Sequence, residues 1–131
     1  MSELGPSGRG LRVAIVDDKA DVRALLRELL TLATSAIVVA EVDDGEHAAQ
    51  AVTDSQAELV IMDYHMPRVD GVEATRRVKA VAPLSHVVAF SSAADDTVAS
   101  AFGQAGAAAY FDKTQIDELV SYVRSFGVRR D

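Results

Sequence analysis

The sequence predicts a doubly wound α/β fold, in which five parallel strands form one sheet covered by five helices. Five short apolar runs alternate along the chain with five segments whose apolar residues recur at helical spacing. The runs are mostly apolar and do not alternate with polar residues, which is typical of strands buried on both faces. The chain has 131 residues, 49% of them hydrophobic and 25% charged, which is enough for one such domain and too few for two ordinary ones.

The first half of the chain contains three predicted strands and two predicted helices. Asp21 is the expected N-cap of the first helix, whose apolar positions lie between residues 22 and 33. A turn signal at residues 43–45 closes the second strand, and an alanine-rich helix follows over residues 46–54. The strands are predicted at residues 11–16, 37–42 and 59–62.

The second half contains two strands and three helices. Asp70 or Gly71 begins the third helix, and Asp95 or Asp96 caps the fourth. Gly106 is the expected end of the fourth helix, and Thr114-Gln115-Ile116-Asp117 resembles a capping box for the fifth. The strands are predicted at residues 86–90 and 107–111. The helical residues expected to face the core are Val72, Val78 and Val81, then Val98, Ala101, Phe102 and Ala105, then Ile116, Leu119, Val120, Val123 and Phe126.

Composition and the ends of the chain exclude several classes of function. The domain is predicted over residues 11–126, with a flexible N-terminal tail at 1–10 and a C-terminal tail at 127–131. No signal peptide and no run of about 18 apolar residues is present, which predicts a cytoplasmic protein without a membrane segment. A net charge of −7 argues against direct binding of nucleic acid. The absence of cysteine excludes disulfides and thiolate chemistry.

Polar side chains follow the predicted strands at the point where each strand ends. Because parallel strands joined by right-handed crossovers end at the same sheet edge, these side chains are expected to converge in one cleft. They are Asp17 and Asp18 after strand one, Asp63 after strand three, Ser91 and Ser92 after strand four, and Lys113 after strand five.

This set of side chains predicts metal-assisted phosphoryl transfer. Two carboxylates about 5 Å apart repel each other by about 3 kcal/mol at an effective dielectric constant of about 20. Lys113 supplies one positive charge, and a divalent cation would supply the rest. Mg²⁺ suits such a site because it binds one or two carboxylates and completes its shell with water and phosphate oxygen. Asp63 is then the expected nucleophile, with the Ser91 hydroxyl donating to the phosphoryl group.

The residues also carry a family resemblance. The chain resembles the receiver domain of two-component response regulators over residues 11–126, and the resemblance implies a flavodoxin-like sheet with strand order 2-1-3-4-5. The matching motifs are Asp17-Asp18, Asp63-x-x-Met66-Pro67-x-x-Asp70-Gly71, Phe90-Ser91-Ser92 and Gly106-Ala107-x-x-Tyr110-x-x-Lys113.

The resemblance implies roles for the acidic residues. Asp63 would accept a phosphoryl group from the phosphohistidine of a sensor histidine kinase or a phosphotransfer protein. Mg²⁺ (or Mn²⁺) would be bound by Asp63, by Asp18 directly, by Asp17 mainly through water, and by the backbone carbonyl of His65. The protein would assist its own phosphorylation and dephosphorylation as a signalling switch and would not be a turnover enzyme.

The resemblance also implies how the signal leaves the site. Ser91 would follow the phosphoryl group inward, and Lys113 would neutralise part of the charge of that group. Tyr110 would move from an exposed to a buried position. The face made by the fourth helix, fifth strand and fifth helix would then change. That face would contact an unidentified downstream protein and could form a homodimer. Ser91 matches the family position better than Ser92, and both stay open as the switch hydroxyl.

Two positions depart from the family pattern. Thr114 stands where most members have proline after the lysine. A cis bond without proline costs about 3–4 kcal/mol, so the Lys113–Thr114 peptide is predicted to be trans. His65 is an uncommon residue two positions after the acceptor, where it would tune the hydrolysis rate of the aspartyl phosphate.

Three other functions fit parts of the pattern. A receiver-like adaptor that is never phosphorylated would not need the acidic cluster and Lys113. A haloacid-dehalogenase-like phosphatase would have aspartate two positions after the nucleophile, where this chain has His65. A flavin or nucleotide binder would have a glycine-rich phosphate loop after a strand, and no such motif is present.

Overall fold

The structure is a computed structural model that describes residues 10–92 and 95–129. Within these residues the strands are β1 Leu11–Val16, β2 Ala36–Val42, β3 Leu59–Met62, β4 His86–Ser91 and β5 Ala109–Asp112. The helices are α1 Ala20–Ala33, α2 Ala48–Ser55, α3 Gly71–Val81, α4 Asp96–Ala105 and α5 Ile116–Arg129. All strand pairs are parallel and the sheet order is β2-β1-β3-β4-β5. The predicted fold class and strand order are therefore confirmed.

The sheet separates two apolar layers, and successive residues of its strands enter opposite layers. In β1, Val13 and Ile15 pack with Leu26 and Leu30 of α1 and with residues of α5. Ala14 and Val16 face the other layer, which contains residues of α2, α3 and α4. Because helices cover both faces, the central strands β1, β3 and β4 are largely buried on both sides, which explains why their sequences are mostly apolar without alternation. The edge strands β2 and β5 are only partly buried.

Several predicted helix ends are confirmed. Asp70 caps α3 by accepting a hydrogen bond from the Glu73 amide at 2.9 Å. Asp95 caps α4 through the Thr97 amide at 2.7 Å. Gly106 ends α4 with a φ of 116°, a left-handed conformation that glycine adopts without strain.

Other predicted boundaries are wrong. Asp21 does not cap α1, because the helix begins at Ala20 after Lys19 and the Asp21 carboxylate accepts from the adjacent Val22 amide. The second helix begins at Ala48 rather than residue 46. The fifth strand begins at Ala109, because the amide of Ala107 still bonds to the Phe102 carbonyl at the end of α4.

The third and fifth helices also differ from the prediction. Val81 is 55% exposed instead of facing the core. The Thr114 amide donates to Asp112 and α5 begins at Ile116, so Thr114 is not the residue before the helix that a capping box requires. The helix continues through Arg129, beyond the predicted boundary at residue 126. Residues 1–9 and 130–131 of the predicted tails lie outside the described residues.

Two further predictions from the sequence concern the Lys113–Thr114 peptide bond and membrane-spanning segments. The Lys113–Thr114 peptide is trans as predicted, and the described residues contain no cis peptide bond. A helix with the length and apolarity needed to cross a membrane does not occur among the described residues.

Candidate functional site

The site lies at the carboxyl edge of the sheet, where hydrogen bonds continue one residue past the strands. The Asp17 amide donates to the Val42 carbonyl at 2.9 Å, and the Asp63 amide donates to the Val16 carbonyl at 2.9 Å. The Lys113 amide donates to the Ser91 carbonyl at 3.1 Å. The sheet itself therefore fixes the backbone of the residues that carry the polar side chains.

Asp17 is a buried carboxylate with two donors. Its Oδ1 accepts from the Lys19 amide at 2.9 Å, and its Oδ2 accepts from the Lys113 ammonium at 2.8 Å. The side chain is 3% exposed, while that of Lys113 is 18% exposed. A buried charge pair of this kind joins the ends of β1 and β5 across the sheet edge.

Asp63 lies beside Asp17 and is only partly satisfied. Its Oδ1 accepts from the Tyr64 amide at 2.8 Å and lies 3.8 Å from the Lys113 ammonium. Its Oδ2 is buried and has no hydrogen-bond partner among the described residues. Burial of a polar atom without a partner is costly, so this oxygen is expected to serve a ligand or a reaction.

The surroundings of Asp63 shift its pKa upward. Burial is the largest cause, and the nearby Asp17 carboxylate adds to it. The charge of Lys113, the Tyr64 amide and the Ser91 hydroxyl act in the opposite direction. Opposed influences on one carboxyl group in a cleft are typical of a functional site.

Asp18 completes the acidic cluster. One carboxylate oxygen from each of Asp17, Asp18 and Asp63 lies within 4.8 Å of the other two. Asp18 is the exposed member, and the Lys19 ammonium lies 3.3 Å from its Oδ1. Because all donors are oxygen atoms and Oδ2 of Asp63 is otherwise unpartnered, these residues fit a hard divalent cation.

The loop of residues 63–70 forms one wall of the site, and we name it the acceptor loop after the role that the sequence predicts for Asp63. An open cleft of about 410 Å³ lies beside it, lined by Asp18, Tyr64, His65, Met66, Pro67 and Asp70. The His65 side chain is exposed and lies edge-on to the Tyr64 ring, with 4.8 Å between the ring centroids. The end of the loop is fixed by the Gly71 amide, which donates to the Tyr64 carbonyl at 2.9 Å.

The two candidate switch hydroxyls have different environments. Ser91 is fully buried at the end of β4, close enough to Asp63 to influence its pKa. Ser92 is exposed. A hydroxyl that responds to a group on Asp63 must face that residue, and this environment favours Ser91.

Tyr110 is half-buried on β5 and is connected to the site through aromatic contacts. Its ring centroid lies 5.9 Å from that of Phe102, which lies 6.1 Å from the ring of Tyr64. Burial raises the pKa of the Tyr110 phenol, and the charges of Asp112, Asp63 and Asp95 add to that effect. Tyr110 therefore lies within the electrostatic reach of the acidic cluster.

Sequence reasoning did not foresee three contacts at the site. The Arg23 guanidinium donates to the Asp17 carbonyl at 2.7 Å, and Lys19 pairs with Asp18. Gly71 allows α3 to approach Asp63, because a Cβ atom there would lie 1.8 Å from the Asp63 carbonyl oxygen. The position of Arg23 six residues after Asp17 on a predicted helix was a usable signal. The other two contacts depend on the path of the backbone.

Comparisons with known proteins agree with this geometry. The family model described as the response regulator receiver domain matches residues 13–124. The two-component response regulator ORR41 of Oryza sativa subsp. japonica is 39% identical over 115 residues, which make up 86% of this chain and 91% of that protein.

A second relative is much longer than this chain. Protein-glutamate methylesterase/protein-glutamine glutaminase 4 of Geobacter metallireducens is 38% identical over 92 residues, which make up 70% of this chain and 26% of that protein. The match therefore covers about a quarter of that relative. Among solved structures, the response regulator domain of Thermotoga maritima CheB has a TM-score of 0.82 at 24% identity. That match covers 89% of this chain and 96% of the other and shows a common fold.

Proposed function

This chain belongs to the response regulator receiver domain family, whose members act as signalling switches, and we propose that it signals by accepting a phosphoryl group on Asp63. The observation that carries the proposal is the buried Oδ2 of Asp63, which has no hydrogen-bond partner among the described residues. An oxygen without donors keeps its lone pairs available to an electrophile.

The proposed donor is the phosphohistidine of a sensor histidine kinase or a phosphotransfer protein. A carboxylate oxygen of Asp63 attacks the phosphorus atom, the O–P bond forms, and the N–P bond breaks. The electron pair of the broken bond stays on the imidazole nitrogen, which takes up a proton from solvent. Because phosphohistidine is made from ATP, the exchange is assigned to the cytoplasm.

The phosphoryl group is then lost from Asp63 by hydrolysis, with water as the acceptor. A water oxygen attacks phosphorus, the O–P bond to Asp63 breaks, and inorganic phosphate leaves. The carboxylate is regenerated, so the protein assists its own dephosphorylation without acting on a separate substrate. The side chain of His65, two residues after Asp63, is exposed and is proposed to influence the access of that water.

Lys113 and Ser91 are proposed to hold the transferred group. Lys113 lies 3.8 Å from Asp63 and is anchored by Asp17, so its charge stays beside the phosphoryl oxygens. The buried Ser91 hydroxyl lies on the β4 side and can donate to one of them. Preorganised donors and charges of this kind stabilise the charge that a phosphoryl group carries during transfer.

Asp17, Asp18, Asp63 and the backbone carbonyl of His65 are proposed to hold Mg²⁺ or Mn²⁺. When bound, the ion would supply positive charge that neutralises the phosphoryl oxygens. The three carboxylates outnumber the two ammonium groups that pair with them, those of Lys113 and Lys19, and this excess of negative charge supports the assignment.

The output is proposed to pass through the α4–β5–α5 face. An aspartyl phosphate would carry a charge of about −2 beside Ser91, in place of the −1 of the carboxylate. We propose that Ser91 shifts toward it and that Tyr110, whose ring contacts Phe102, moves in turn. Inward movement of Tyr110 then changes the surface that a downstream protein, or a second copy of this chain, would contact.

The test is intact mass spectrometry after incubation with acetyl phosphate and Mg²⁺. Wild type should gain one phosphoryl group of about 80 Da, and Asp63→Asn should not. Asp54→Asn is the matched control, because Asp54 is exposed on α2 and should leave the gain unchanged. Chelation with EDTA should prevent the gain. Equal labelling of wild type and Asp63→Asn would refute the proposal.

A further inference from the structure

The acceptor loop is pressed against the turn between β2 and α2. A Cβ atom on Gly45 of that turn would lie 2.1 Å from the Val69 carbonyl oxygen, so the two backbones meet with no room for a side chain. Glycine is therefore required where the turn touches the loop. This contact lies on the side of the acceptor loop away from β4.

A charged group joins the same two segments. Arg68 of the acceptor loop donates from one guanidinium nitrogen to Asp44 Oδ2 at 2.8 Å and from Nε to Glu46 Oε1 at 2.8 Å. A guanidinium that bridges two carboxylates fixes direction as well as distance. Arg68 thus connects the loop to both sides of Gly45.

The turn side of this contact is rigid. Asp44 is only 6% exposed. Its Oδ1 accepts from the His47 amide at 2.9 Å, and the His47 ring nitrogen Nδ1 also lies 2.9 Å away. The hydrogen bonds to His47 hold the Asp44 carboxylate in one orientation before it meets Arg68.

The loop side carries a special backbone conformation. Arg68 has a φ of 67°, which residues other than glycine seldom adopt. The residues on either side of Arg68 are joined by a hydrogen bond, which the Val69 amide donates to the Pro67 carbonyl at 2.7 Å. Such a conformation persists where surrounding contacts hold it, and the contacts of Arg68 with Asp44 and Glu46 are among those that do so here.

We propose that Arg68 and Asp44 are positioning residues. They would hold the acceptor loop in the position from which the His65 carbonyl can bind the metal. The inference rests on the proposed function, because it assigns this pair to the same site. Residues 64–67 line the cleft beside Asp18, and Arg68 follows them directly. Outer partners of ligand-bearing groups commonly orient them in this way.

The alternative is an ordinary surface ion pair, since Arg68 is 57% exposed. Such a pair would add little and would affect nothing distant. The buried Asp44, the Gly45 contact and the left-handed Arg68 distinguish this pair from the one between Arg76 and Glu73, where both residues are exposed and lie on a single helix. Arg76 is accordingly the matched control.

The experiment compares wild type with Arg68→Ala, Asp44→Asn, their double variant, Arg68→Lys and Arg76→Ala. The first readout is hydrogen exchange of residues 64–69 in metal-free protein. The second is the dissociation constant of Mn²⁺, followed by electron paramagnetic resonance. Both readouts are independent of phosphorylation, and acetyl phosphate labelling is measured separately.

We expect Arg68→Ala and Asp44→Asn to speed exchange of residues 64–69 and to weaken Mn²⁺ binding roughly three- to tenfold, a modest effect because Arg68 is exposed. The effects of Arg68→Ala and Asp44→Asn should combine less than multiplicatively in the double variant, because both changes remove the hydrogen bond between Arg68 and Asp44. Arg68→Lys should recover part of the affinity, and Arg76→Ala should match wild type.

The inference would be overturned if Arg68→Ala bound Mn²⁺ with an affinity within twofold of wild type. It would also be overturned if the losses of Mn²⁺ affinity in the two single variants multiplied in the double variant. A wild type that binds no Mn²⁺ would also overturn it. If the Mn²⁺ and exchange effects occur but wild type takes up no phosphoryl group, the positioning role stands and the proposed function fails.

Discussion

The Lys113 ammonium lies 3.8 Å from Oδ1 of Asp63, which is ion-pair distance but beyond a hydrogen bond. Its hydrogen bond goes instead to Asp17, at 2.8 Å. Asp63 therefore has a positive charge beside it, while its Oδ2 accepts no hydrogen bond among the described residues. This arrangement leaves Asp63 available for reaction while Asp17 fixes the lysine.

Removal of the Lys113 charge should destabilise the metal-free protein. Lys113→Ala leaves buried Asp17 without its cation, which we expect to cost about 2–4 kcal/mol in the free energy of unfolding. Lys19→Ala, at a lysine that is 53% exposed, should cost less than about 1 kcal/mol. Urea unfolding with and without Mg²⁺ measures both, and Mg²⁺ should recover part of the Lys113→Ala loss. Equal losses in the two variants would contradict the assigned role of the pair.

Lys19 should compete with the metal for Asp18. Its ammonium lies 3.3 Å from the Asp18 carboxylate, and both groups are solvent-accessible. Lys19→Ala should therefore tighten Mn²⁺ binding about two- to fivefold at low salt. The gain should shrink at high salt, because exposed charges are screened. Weaker binding in this variant would show that Lys19 supports the site instead.

The pKa values of His47 and His86 should lie on opposite sides of their ordinary value of 6.5. The hydrogen bond to the Asp44 carboxylate, together with its charge, raises the pKa of His47. Burial, and after it the charge of Lys79, lowers the pKa of His86. Imidazole NMR shifts measured against pH report both values. Asp44→Asn should lower the His47 value and leave the His86 value unchanged, and an unmoved His47 would disprove the contact.

These shifts make opposite contributions to stability. Because the folded-state pKa of His47 is raised, its contribution is fully present below pH 6.5 and is lost as pH rises through the folded-state value. Because that of His86 is lowered, stability should fall as pH drops below about 6.5 and level off below its folded-state value. Unfolding free energies of wild type and Asp44→Asn between pH 5 and 8 separate the His47 part.

Gly71 should not tolerate a side chain. Gly71→Ala would place Cβ 1.8 Å from the Asp63 carbonyl oxygen, and we expect the required shift to cost about 1–3 kcal/mol and to slow phosphoryl uptake. Gly103→Ala is the control, because a Cβ atom there meets nothing within 4 Å. Since Gly103 is within α4, that change should stabilise the protein by about 0.4–1 kcal/mol. Urea unfolding distinguishes the two, and a neutral Gly71→Ala would contradict the close approach.

Local sequence patterns predicted much of this structure, because the parallel sheet makes its strands apolar and places polar residues at their ends. The bounds of β1 and β3 agree with the prediction. The fifth strand was misplaced because Ala107 and Ala108 are as apolar as a strand, although the Ala107 amide completes the end of α4.

The contacts that join distant segments could not be predicted. Asp44 and Arg68 are 24 positions apart, and each is of a residue type that is usually found at the protein surface. Their pairing depends on where two loops meet, and hydrophobic periodicity carries no information about that.

The most direct test of the central claim is to locate the phosphoryl group on wild type after reaction with acetyl phosphate and Mg²⁺. Borohydride reduces an acyl phosphate to the alcohol, so a phosphorylated aspartate becomes homoserine and can be identified by peptide sequencing in a mass spectrometer. The account predicts homoserine at position 63 alone. Homoserine at 17, 18 or 70 with an unmodified Asp63 would contradict it.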